Sequence, residues 1–267
     1  MRDDQRPASG LQADLQAGDA DFSDEETDMR KITIDKIHQG PFGSANGGYV
    51  AGLLGDALRG APSSVRIHRP VPVGTPVFLY RRGSTAFIRH SDQTVATAEL
   101  IEESLPTTEF VSVAEVLAAP DPDLDLGMFA ECFVCGQPAP DGLGVRSKAL
   151  PDGRFAAVWR PGASRHVTGS KVPAIYLRSA LDCPGGFAAL TANQTLALTG
   201  TLRSRVEFLP DSDSTLVIVG EATQTEGRKL GAVSTVYTES GTLVATASAI
   251  WIAIPGAPMS ADAAAVA

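Results

Sequence analysis

The stretches SDQTVATAEL (residues 91–100) and SGTLVATASAIW (residues 240–251) contain the same tetrapeptide, VATA, far apart in a chain of 267 residues. In both, a polar turn signal precedes a run rich in β-branched and small apolar residues, which is typical of a β-strand. Four shared residues alone carry no weight. The repeat becomes informative only if the surroundings of the two strands repeat as well.

The segments that precede the two VATA strands do follow the same order: a helix of small residues, then strands, then a turn. The helix and strand segments are 47–58 and 65–80 in the first half, and 175–190 and 202–220 in the second. Arg66 aligns with Arg205, and Pro70 aligns with Pro210. The period is too long for a solenoid, so two copies predict a fused pseudo-dimer with one continuous sheet and two adjacent helices.

Charge and composition limit the possible partners and the compartment. The formal net charge is −9, and residues 1–29 alone hold nine acidic residues and two arginines. This acidic balance argues against a nucleic-acid partner. No run of 18 apolar residues occurs, so no membrane span is expected. With three cysteines and no secretory signal, we expect a cytoplasmic protein with reduced thiols.

Several motifs resemble hotdog-fold thioesterases. The stretch CFVCGQPAPDGLGVR (132–146) is similar to the CxxCG…NP.GL opening of PaaI-like thioesterases, and HQGPFGSANGGYVAGLL (38–54) resembles the loop and helix start of TesB-like proteins. RVEFLP and GTLVATASAIW resemble later strands of the same superfamily. The resemblance spans about residues 31–255. It implies an α+β double hotdog: two antiparallel sheets joined edge to edge, each wrapped around a central helix.

The resemblance and the composition together predict the domain organisation. The segment AAPDPDLDLG (118–127) is rich in Pro and Asp, as linkers are. The acidic first segment has few large apolar residues, which predicts disorder. We expect a disordered acidic head over 1–29, an N-terminal hotdog over 30–117, a linker over 118–130, a C-terminal hotdog over 131–255 and a flexible tail over 256–267.

The resemblance implies that the N-terminus of one helix polarises a thioester carbonyl. Many hotdog thioesterases have His-Gly-Gly at this place, and here the residues are Asn46, Gly47 and Gly48. Asn is a favoured helix N-cap, and free N–H groups at the positive end of a helix suit an oxygen on which negative charge develops. The alternative is that Asn46 only caps the helix and the glycines allow close helix–sheet contact.

A carboxylate about two turns beyond the glycine turn activates water or attacks the thioester in PaaI-like enzymes, and Asp182 stands at that position in the second half. A buried carboxylate that faces a cleft would have a raised pKa and could act as a base. The alternative is that Pro184-Gly185-Gly186 bends or ends the helix and that Asp182 satisfies the backbone groups freed there.

Only one complete site can be assembled from the two halves. The first helix has Gly55 in place of the acid, and the second has Pro173-Ala174-Ile175 in place of the glycine turn. Family sites combine the donor turn of one helix with the carboxylate of the other. Asn46-Gly47-Gly48 together with Asp182 would therefore form a working site, and the second site would be lost. A shift of one residue would make Asp56 the acid instead.

Further residues are candidates for supporting roles. Gln39, Ser44 and Thr199 are reserve groups that could hold water beside the acid. Arg66 and Arg69 are candidates for the phosphates of CoA, since an acidic protein needs local cations to bind them. The alternative for both arginines is an exposed strand charge that keeps the sheet edge soluble.

The cysteines offer half of a zinc site. Cys132-x-x-Cys135 supplies two ligands, Cys183 and His166 would have to complete the set, and no second CxxC exists. We favour the reading of these cysteines as small packing residues, so no metal is expected. No nucleotide-binding glycine pattern is present, so no cofactor is expected beyond CoA as part of the substrate.

The sequence therefore predicts hydrolysis of an acyl thioester, in which the turn of Gly47 and Gly48 polarises the carbonyl and Asp182 activates water. Asn46 would position either the water or the thioester. Gly52 and Gly55, with other small residues of the first helix, would leave a tunnel for the acyl chain. The expected partners are acyl-CoA or an acyl-carrier-protein thioester, and a second copy of the chain in a homodimer. The alternatives are a non-catalytic protein that binds acyl thioesters and a related thioester reaction in a biosynthetic pathway.

Overall fold

The computed structural model describes residues 27–122, 127–138 and 140–259. The predicted disorder of the acidic head falls largely outside these residues, although residues 27–29 already belong to the first strand. The predicted flexible tail lies outside them from residue 260 onward, and residues 256–258 belong to the last strand. No helix in the described ranges combines the length and apolar character needed to cross a bilayer.

The two halves contain corresponding elements joined by a short helix. The first half consists of β1 (Thr27–Thr33), α1 (Gly47–Ala57), β2 (Ser63–Ile67), β3 (Pro76–Arg82), β4 (Thr85–His90) and β5 (Gln93–Leu100). The connection contains α2 (Val113–Ala118). The second half consists of β6 (Lys148–Ala149), β7 (Phe155–Trp159), α3 (Ala174–Ala180), α4 (Asp182–Asn193), β8 (Thr195–Val206), β9 (Leu216–Glu226), β10 (Lys229–Thr238) and β11 (Leu243–Pro258).

The strands form one eleven-stranded sheet in the order β1-β3-β4-β5-β2-β8-β11-β10-β9-β7-β6. The order β1-β3-β4-β5-β2 in the first half is mirrored by β7-β9-β10-β11-β8 in the second. The halves join edge to edge where β2 pairs antiparallel with β8, with Ser63 opposite Ser204 and Arg66 opposite Thr201. The predicted double hotdog is confirmed.

The VATA repeat occupies equivalent places in the two sheets. Thr97 of the first copy lies opposite Arg66, and Thr246 of the second lies opposite Arg205. In both copies the strand is the one next to the joining strand, where it is covered by a helix on one face. The small alanines on either side of the threonine let that helix approach the sheet, which explains why the same strand occurs twice.

The alignment of Pro70 with Pro210 was wrong by one residue. The N–H of Ala45 donates to the carbonyl of Val71 at 2.8 Å, and the equivalent bond joins the N–H of Val172 to the carbonyl of Pro210 at 2.9 Å. Pro210 therefore stands where Val71 stands in the first half. The wider spacing between the VATA copies arises in the hairpin of β9 and β10, whose strands have 11 and 10 residues against 7 and 6 in β3 and β4.

Helices α1 and α3 lie in direct contact across the join, along a face of α1 formed by glycines. A Cβ atom on Gly52 would lie 2.4 Å from the side chain of Ile175, and one on Gly55 would lie 2.7 Å from the guanidinium of Arg178. One on Gly48 would lie 2.7 Å from the carbonyl oxygen of Arg178. The prediction that these small residues leave a tunnel for an acyl chain was wrong, because the partner helix fills the space.

Pro184 explains the break between α3 and α4. Proline has no N–H, and its ring clashes with the carbonyl four residues earlier, which here belongs to Ala180, the last residue of α3. The N–H of Gly185, at the same break, donates instead to Ser234 Oγ at 3.0 Å. Ser234 therefore satisfies this backbone group. Asp182, the first residue of α4, directs its side chain elsewhere.

Residues between 106 and 117 pack on the second half, although the sequence placed them in the first. The N–H of Thr108 donates to Thr235 Oγ1 at 2.9 Å, and the carbonyl of Thr108 accepts from the Tyr237 hydroxyl. Val116 of α2 joins a buried cluster with second-half residues, namely Leu150, Ala156, Val217 and Val219. The connection thus covers the outer face of the second sheet. The first half therefore ends before residue 117, the end that the sequence predicted for it.

We expect Gly52→Ala to destabilise the fold, because its methyl group would have to displace Ile175. Overpacking a filled interior costs about 1–3 kcal/mol, against about 1 kcal/mol gained in helix propensity. The thermal unfolding midpoint should fall by about 2–4 °C, and further in Gly52→Val. An unchanged or raised midpoint in both variants would contradict the close contact of α1 with α3.

Candidate active site

A cavity of about 230 Å³ lies between the two halves. It is bordered by the loop before α1, the chain after β2, the start of α4 and the strands β8 and β11. Most of its wall is apolar, formed by Ile67, Val71, Phe129, Leu198, Trp251 and Ile252. Its polar lining residues include Asn46, Asp182 and Thr199. A mostly apolar cleft with a few convergent polar groups is the usual form of a small-molecule site.

Asn46 performs two roles with the two ends of its side-chain amide. Its Oδ1 accepts a hydrogen bond from the N–H of Tyr49 at 2.9 Å, so Asn46 is the N-cap of α1, as predicted. Its Nδ2 donates to Asp182 Oδ2 at 3.2 Å and lies 3.6 Å from Cys132 Sγ. An Asp or a Ser could supply the capping oxygen but not this amide donor.

Asp182 is buried, with 2% of its surface exposed, and each carboxylate oxygen has a donor. Oδ2 accepts from the N–H of Gly48 at 3.1 Å and from Asn46, and Oδ1 accepts from Thr199 Oγ1 at 2.9 Å. Burial raises the pKa of Asp182 to about 7, while the hydrogen bonds from Thr199 and Gly48 act in the opposite direction. Such a carboxyl can exchange a proton near neutral pH.

The structure brings the predicted donor turn and the predicted acid together from opposite halves. Gly47 lines the cavity, and a Cβ atom there would lie 2.6 Å from Thr199. As the first residue of α1, Gly47 has no intrahelical acceptor for its N–H, and no other acceptor occurs among the described residues. The N–H of Gly48 is already used by Asp182. Gly47 is therefore the open donor of the turn.

The reserve residues divide into those at the cavity and those away from it. Thr199 contacts the acid directly. Ser44 lines the cavity, but its hydroxyl donates to the carbonyl of Pro41 at 2.7 Å. Gln39 is not part of the lining, and its Nε2 donates to Glu131 Oε2 at 2.8 Å on the surface. Of the three, only Thr199 is placed to act on Asp182.

Of the two candidate phosphate ligands, only one borders the cavity. Arg69 borders the cavity and is exposed, whereas Arg66 is exposed on β2 outside the lining. Neither forms an ion pair within the part of the chain that the structure describes. His68 stands between the two arginines in the sequence. Burial and the charge of Arg66 both lower its pKa, and its Nε2 lies 2.9 Å from Thr97 Oγ1.

The second, equivalent site is filled by an arginine. Gly55 occupies the place that Asp182 has in the other half, and the buried guanidinium of Arg178 lies against it. Arg178 donates to the carbonyl of Gly60 at 2.9 Å. Asp56, the alternative acid, is half-exposed, with Oδ1 3.9 Å from Arg178 Nη1, and it does not line the cavity.

An aromatic cluster supports the loop that carries Asn46. The ring of His38 stacks on Tyr49 at 4.0 Å and meets Phe133 and His166 edge-on. Burial lowers the pKa of His38 to about 4, the charge of His166 acts in the same direction, and Asp35 opposes them. Neither ring nitrogen of His38 has a partner within the described ranges. The neutral imidazole is therefore the form that the fold accommodates.

The sequence reading missed Trp251. This residue lies opposite Thr199 in the pairing of β11 with β8 and lines the cavity. Its indole N–H is buried, and the described residues offer it no acceptor. The alternation of buried residues at Ala247, Ala249 and Trp251 could have placed it on the helix-facing side of the strand. Its position beside Thr199, however, depends on the sheet register.

The three cysteines form the group that could hold a metal ion. The sulfur atoms of Cys132, Cys135 and Cys183 lie within 4.8 Å of one another, and all three residues are buried. His166, which the sequence offered as a fourth ligand, lies elsewhere: its Nε2 is 3.0 Å from the carbonyl oxygen of Asp141.

No protein-family model matches the chain, and no curated protein matches it. Solved structures do match. One is a protein of Novosphingobium aromaticivorans with a proposed thioesterase activity (TM-score 0.58, 14% identity, 84% of this chain and 94% of that one). Others are the tesB protein of Mycobacterium avium subspecies paratuberculosis (0.57, 15%, 85% and 93%) and a proposed thioesterase II of Thermobifida fusca (0.56, 20%, 85% and 92%).

At sequence identities of 14%, 20% and 15%, these comparisons show similarity of fold alone. The chain shares its fold with these thioesterases over nearly their whole length. The resemblance to hotdog thioesterases that the sequence motifs indicated is therefore confirmed at the level of the fold.

We expect protonation of His38 to destabilise the protein as the pH drops from about 6.5 to about 4, whereas Asp182, whose pKa burial raises to about 7, acts in the opposite direction over this range. The unfolded histidine has the higher pKa, so the unfolded chain binds the proton more readily in this window. His166, whose pKa burial also lowers, acts in the same direction. In His38→Phe, which keeps a ring against Tyr49, the thermal midpoint should decrease less, or increase more, than that of the wild type as the pH drops over this range.

The measurement is thermal unfolding at several pH values, with circular dichroism as the signal. His90→Phe, which removes a histidine outside the aromatic cluster, is the control and should keep the wild-type dependence. An equal pH dependence in His38→Phe and wild type would show that His38 does not contribute.

Proposed function

We propose that the chain hydrolyses an acyl thioester. The observation that carries this proposal is Asp182, a buried carboxyl with a pKa near 7, held by donors from both halves at the wall of a mostly apolar cavity. Burying a carboxylate without function is costly, and here the fold supplies two donors for Oδ2 and one for Oδ1. Solved proteins of the same fold that bear thioesterase names support the reaction class.

In the proposed mechanism, Asp182 takes a proton from a water molecule as the water oxygen bonds to the acyl carbon. The N–H of Gly47, at the positive end of α1, donates to the carbonyl oxygen as negative charge develops on it. The carbon–sulfur bond then breaks, and the proton held by Asp182 passes to the leaving thiolate. The products are a carboxylic acid and a free thiol.

Thr199 and Trp251 position the reacting groups. The Thr199 hydroxyl holds Oδ1 of Asp182. Oδ2, which accepts from Asn46 and Gly48, is then the oxygen that takes the proton of the attacking water. The indole N–H of Trp251 is a further donor on the neighbouring strand, free to bind the water or the thioester. Fixed donors in a dry cavity act more strongly than they would in water.

The cavity and its rim favour a CoA thioester with a short acyl group. A volume of about 230 Å³ lies below the roughly 300–1,000 Å³ typical of pockets for larger ligands. Arg69 at the rim, with Arg66 nearby, offers positive charge for the phosphates of CoA, and the phosphopantetheine of a carrier protein is the alternative. Cytoplasmic location and a homodimer stay predictions.

The direct test is thiol release from acetyl-, medium-chain and long-chain acyl-CoA by the wild type and Asp182→Asn. Loss of a general base lowers turnover by about 10²- to 10⁴-fold, and we expect an effect of this size. Asp56→Asn is the matched control, since it removes the carboxylate near the arginine-filled second site, and it should keep activity within about twofold. Circular dichroism would establish that both variants fold.

An Asp182→Asn variant as active as the wild type would remove Asp182 from the mechanism. A wild type that binds acyl-CoA or an acyl-carrier-protein thioester without releasing thiol would favour the non-catalytic alternative. A modified product without thiol release would favour the related thioester reaction.

A second prediction concerns Thr199. Thr199→Val keeps the shape of the side chain but removes the hydrogen bond to Asp182, and a bond to a charged group contributes about 1.5–3 kcal/mol. We expect kcat to fall about 10- to 100-fold, with KM little changed. Thr199→Ser retains the hydroxyl and should stay close to wild type in the same assay. Equal activity of the Val and Ser variants would show that the hydroxyl has no role.

A further inference from the structure

Three thiols from two distant segments of the chain meet beside the proposed active site. Cys132 and Cys135 come from the C-x-x-C-G loop, and Cys183 comes from the first turn of α4. Sγ of Cys132 lies 4.0 Å from Sγ of Cys183, and all three sulfur atoms lie within 4.8 Å of one another. A buried cysteine is ordinarily a small apolar residue, but three sulfurs this close together can form a ligand set.

The separations suit a tetrahedral metal ion. A zinc–sulfur bond of about 2.3 Å in a tetrahedral site places neighbouring sulfurs about 3.8 Å apart. The 4.0 Å between Cys132 and Cys183 is close to this value, and the 4.8 Å limit on the whole set requires only small side-chain adjustments. Thiolate ligands select zinc and other thiophilic ions over magnesium or calcium.

The loop that carries two of these thiols has a fixed shape. The N–H groups of Gly136 and Gln137 both donate to the carbonyl of Cys132 at 2.9 Å, so the chain curls around that residue. A Cβ atom on Gly136 would lie 2.3 Å from the carbonyl oxygen of Phe129, so only glycine fits. The loop is further held by the N–H of Phe133, which donates to the carbonyl of Gln39 at 2.8 Å.

The sulfur of Cys132 has a polar neighbour besides the other two thiols. Asn46 Nδ2 lies 3.6 Å from the same sulfur. Groups of this kind stabilise a thiolate and orient metal ligands from the second shell. An apolar packing role for Cys132 does not call for them.

We propose that Cys132, Cys135 and Cys183 bind a zinc ion through three thiolates, with the fourth ligand supplied by a molecule in the cavity. Within the described ranges, no His, Asp or Glu atom joins the three sulfurs as a fourth ligand. Cys132 and Cys183 both line the cavity, which gives the ion a path of entry and gives water or a thiol access to the open position. Binding releases the thiol protons.

This site was not the sequence expectation. The sequence favoured packing roles for the cysteines and offered His166 as a fourth ligand. The fold brings Cys183 to the C-x-x-C loop but leaves His166 in the aromatic cluster with His38. The assignment does not depend on the proposed hydrolysis, because its test measures metal binding without a substrate.

The experiment uses the full chain, purified under reducing conditions, stripped with a chelator and titrated with Zn²⁺ against a chromophoric competitor. We expect a single ion per chain, and with Co²⁺ an intense near-ultraviolet sulfur-to-cobalt charge-transfer band. Cys132→Ser and Cys183→Ser should each weaken Zn²⁺ binding by about 100-fold or more and lose that band. Thr199→Val, which alters the same cavity wall but no thiol, is the matched control and should bind like the wild type.

Folding of each variant is checked by near-ultraviolet circular dichroism. If a cysteine variant does not fold, alkylation of the wild type still tests the proposal. Bound Zn²⁺ should protect all three thiols from alkylation, and a chelator should restore their reactivity. A wild type that binds neither ion, or whose thiols react equally with and without Zn²⁺, overturns the proposal. Equal Zn²⁺ affinity in the wild type and both folded serine variants overturns it as well.

Discussion

The close contact between α1 and α3 is the constraint on which the rest of the structure depends. It exists because glycines on α1 leave no side chain between the helices, so that Gly52 meets Ile175 directly. The same approach brings the start of α1 within hydrogen-bonding distance of Asp182, whose carboxylate accepts from the N–H of Gly48. One packing feature therefore joins the two halves and assembles the site between them.

The two ends of this contact bury side chains of opposite charge. On one side the contact holds a buried carboxylate, Asp182, and on the other a buried guanidinium, Arg178. Each charge has partners: Asp182 accepts from Thr199 and Gly48, and Arg178 donates to the carbonyl of Gly60. A buried charge left without such partners would cost several kcal/mol. The pseudo-symmetry of the fold is thus retained in the backbone and lost in the chemistry.

Asn46 connects the elements around the cavity. Its side-chain oxygen caps α1, and its nitrogen reaches both Asp182 and the sulfur of Cys132. The helix start, the acid and the cysteine loop are therefore held in one hydrogen-bonded unit. An imidazole, which the resemblance in sequence to hotdog thioesterases implies as the alternative at this place, would arrange its donors differently.

From the sequence by itself, the N-cap at Asn46 followed from a local preference of Asn, while the repeat together with the resemblance to hotdog thioesterases predicted the double hotdog and the pairing of the glycine turn with Asp182. Only the tertiary structure decided the rest. That Gly52 serves helix contact, that Trp251 stands beside Thr199 and that Cys183 meets the C-x-x-C loop are all long-range facts. They depend on sheet register and helix approach, which bring together residues that no local pattern relates.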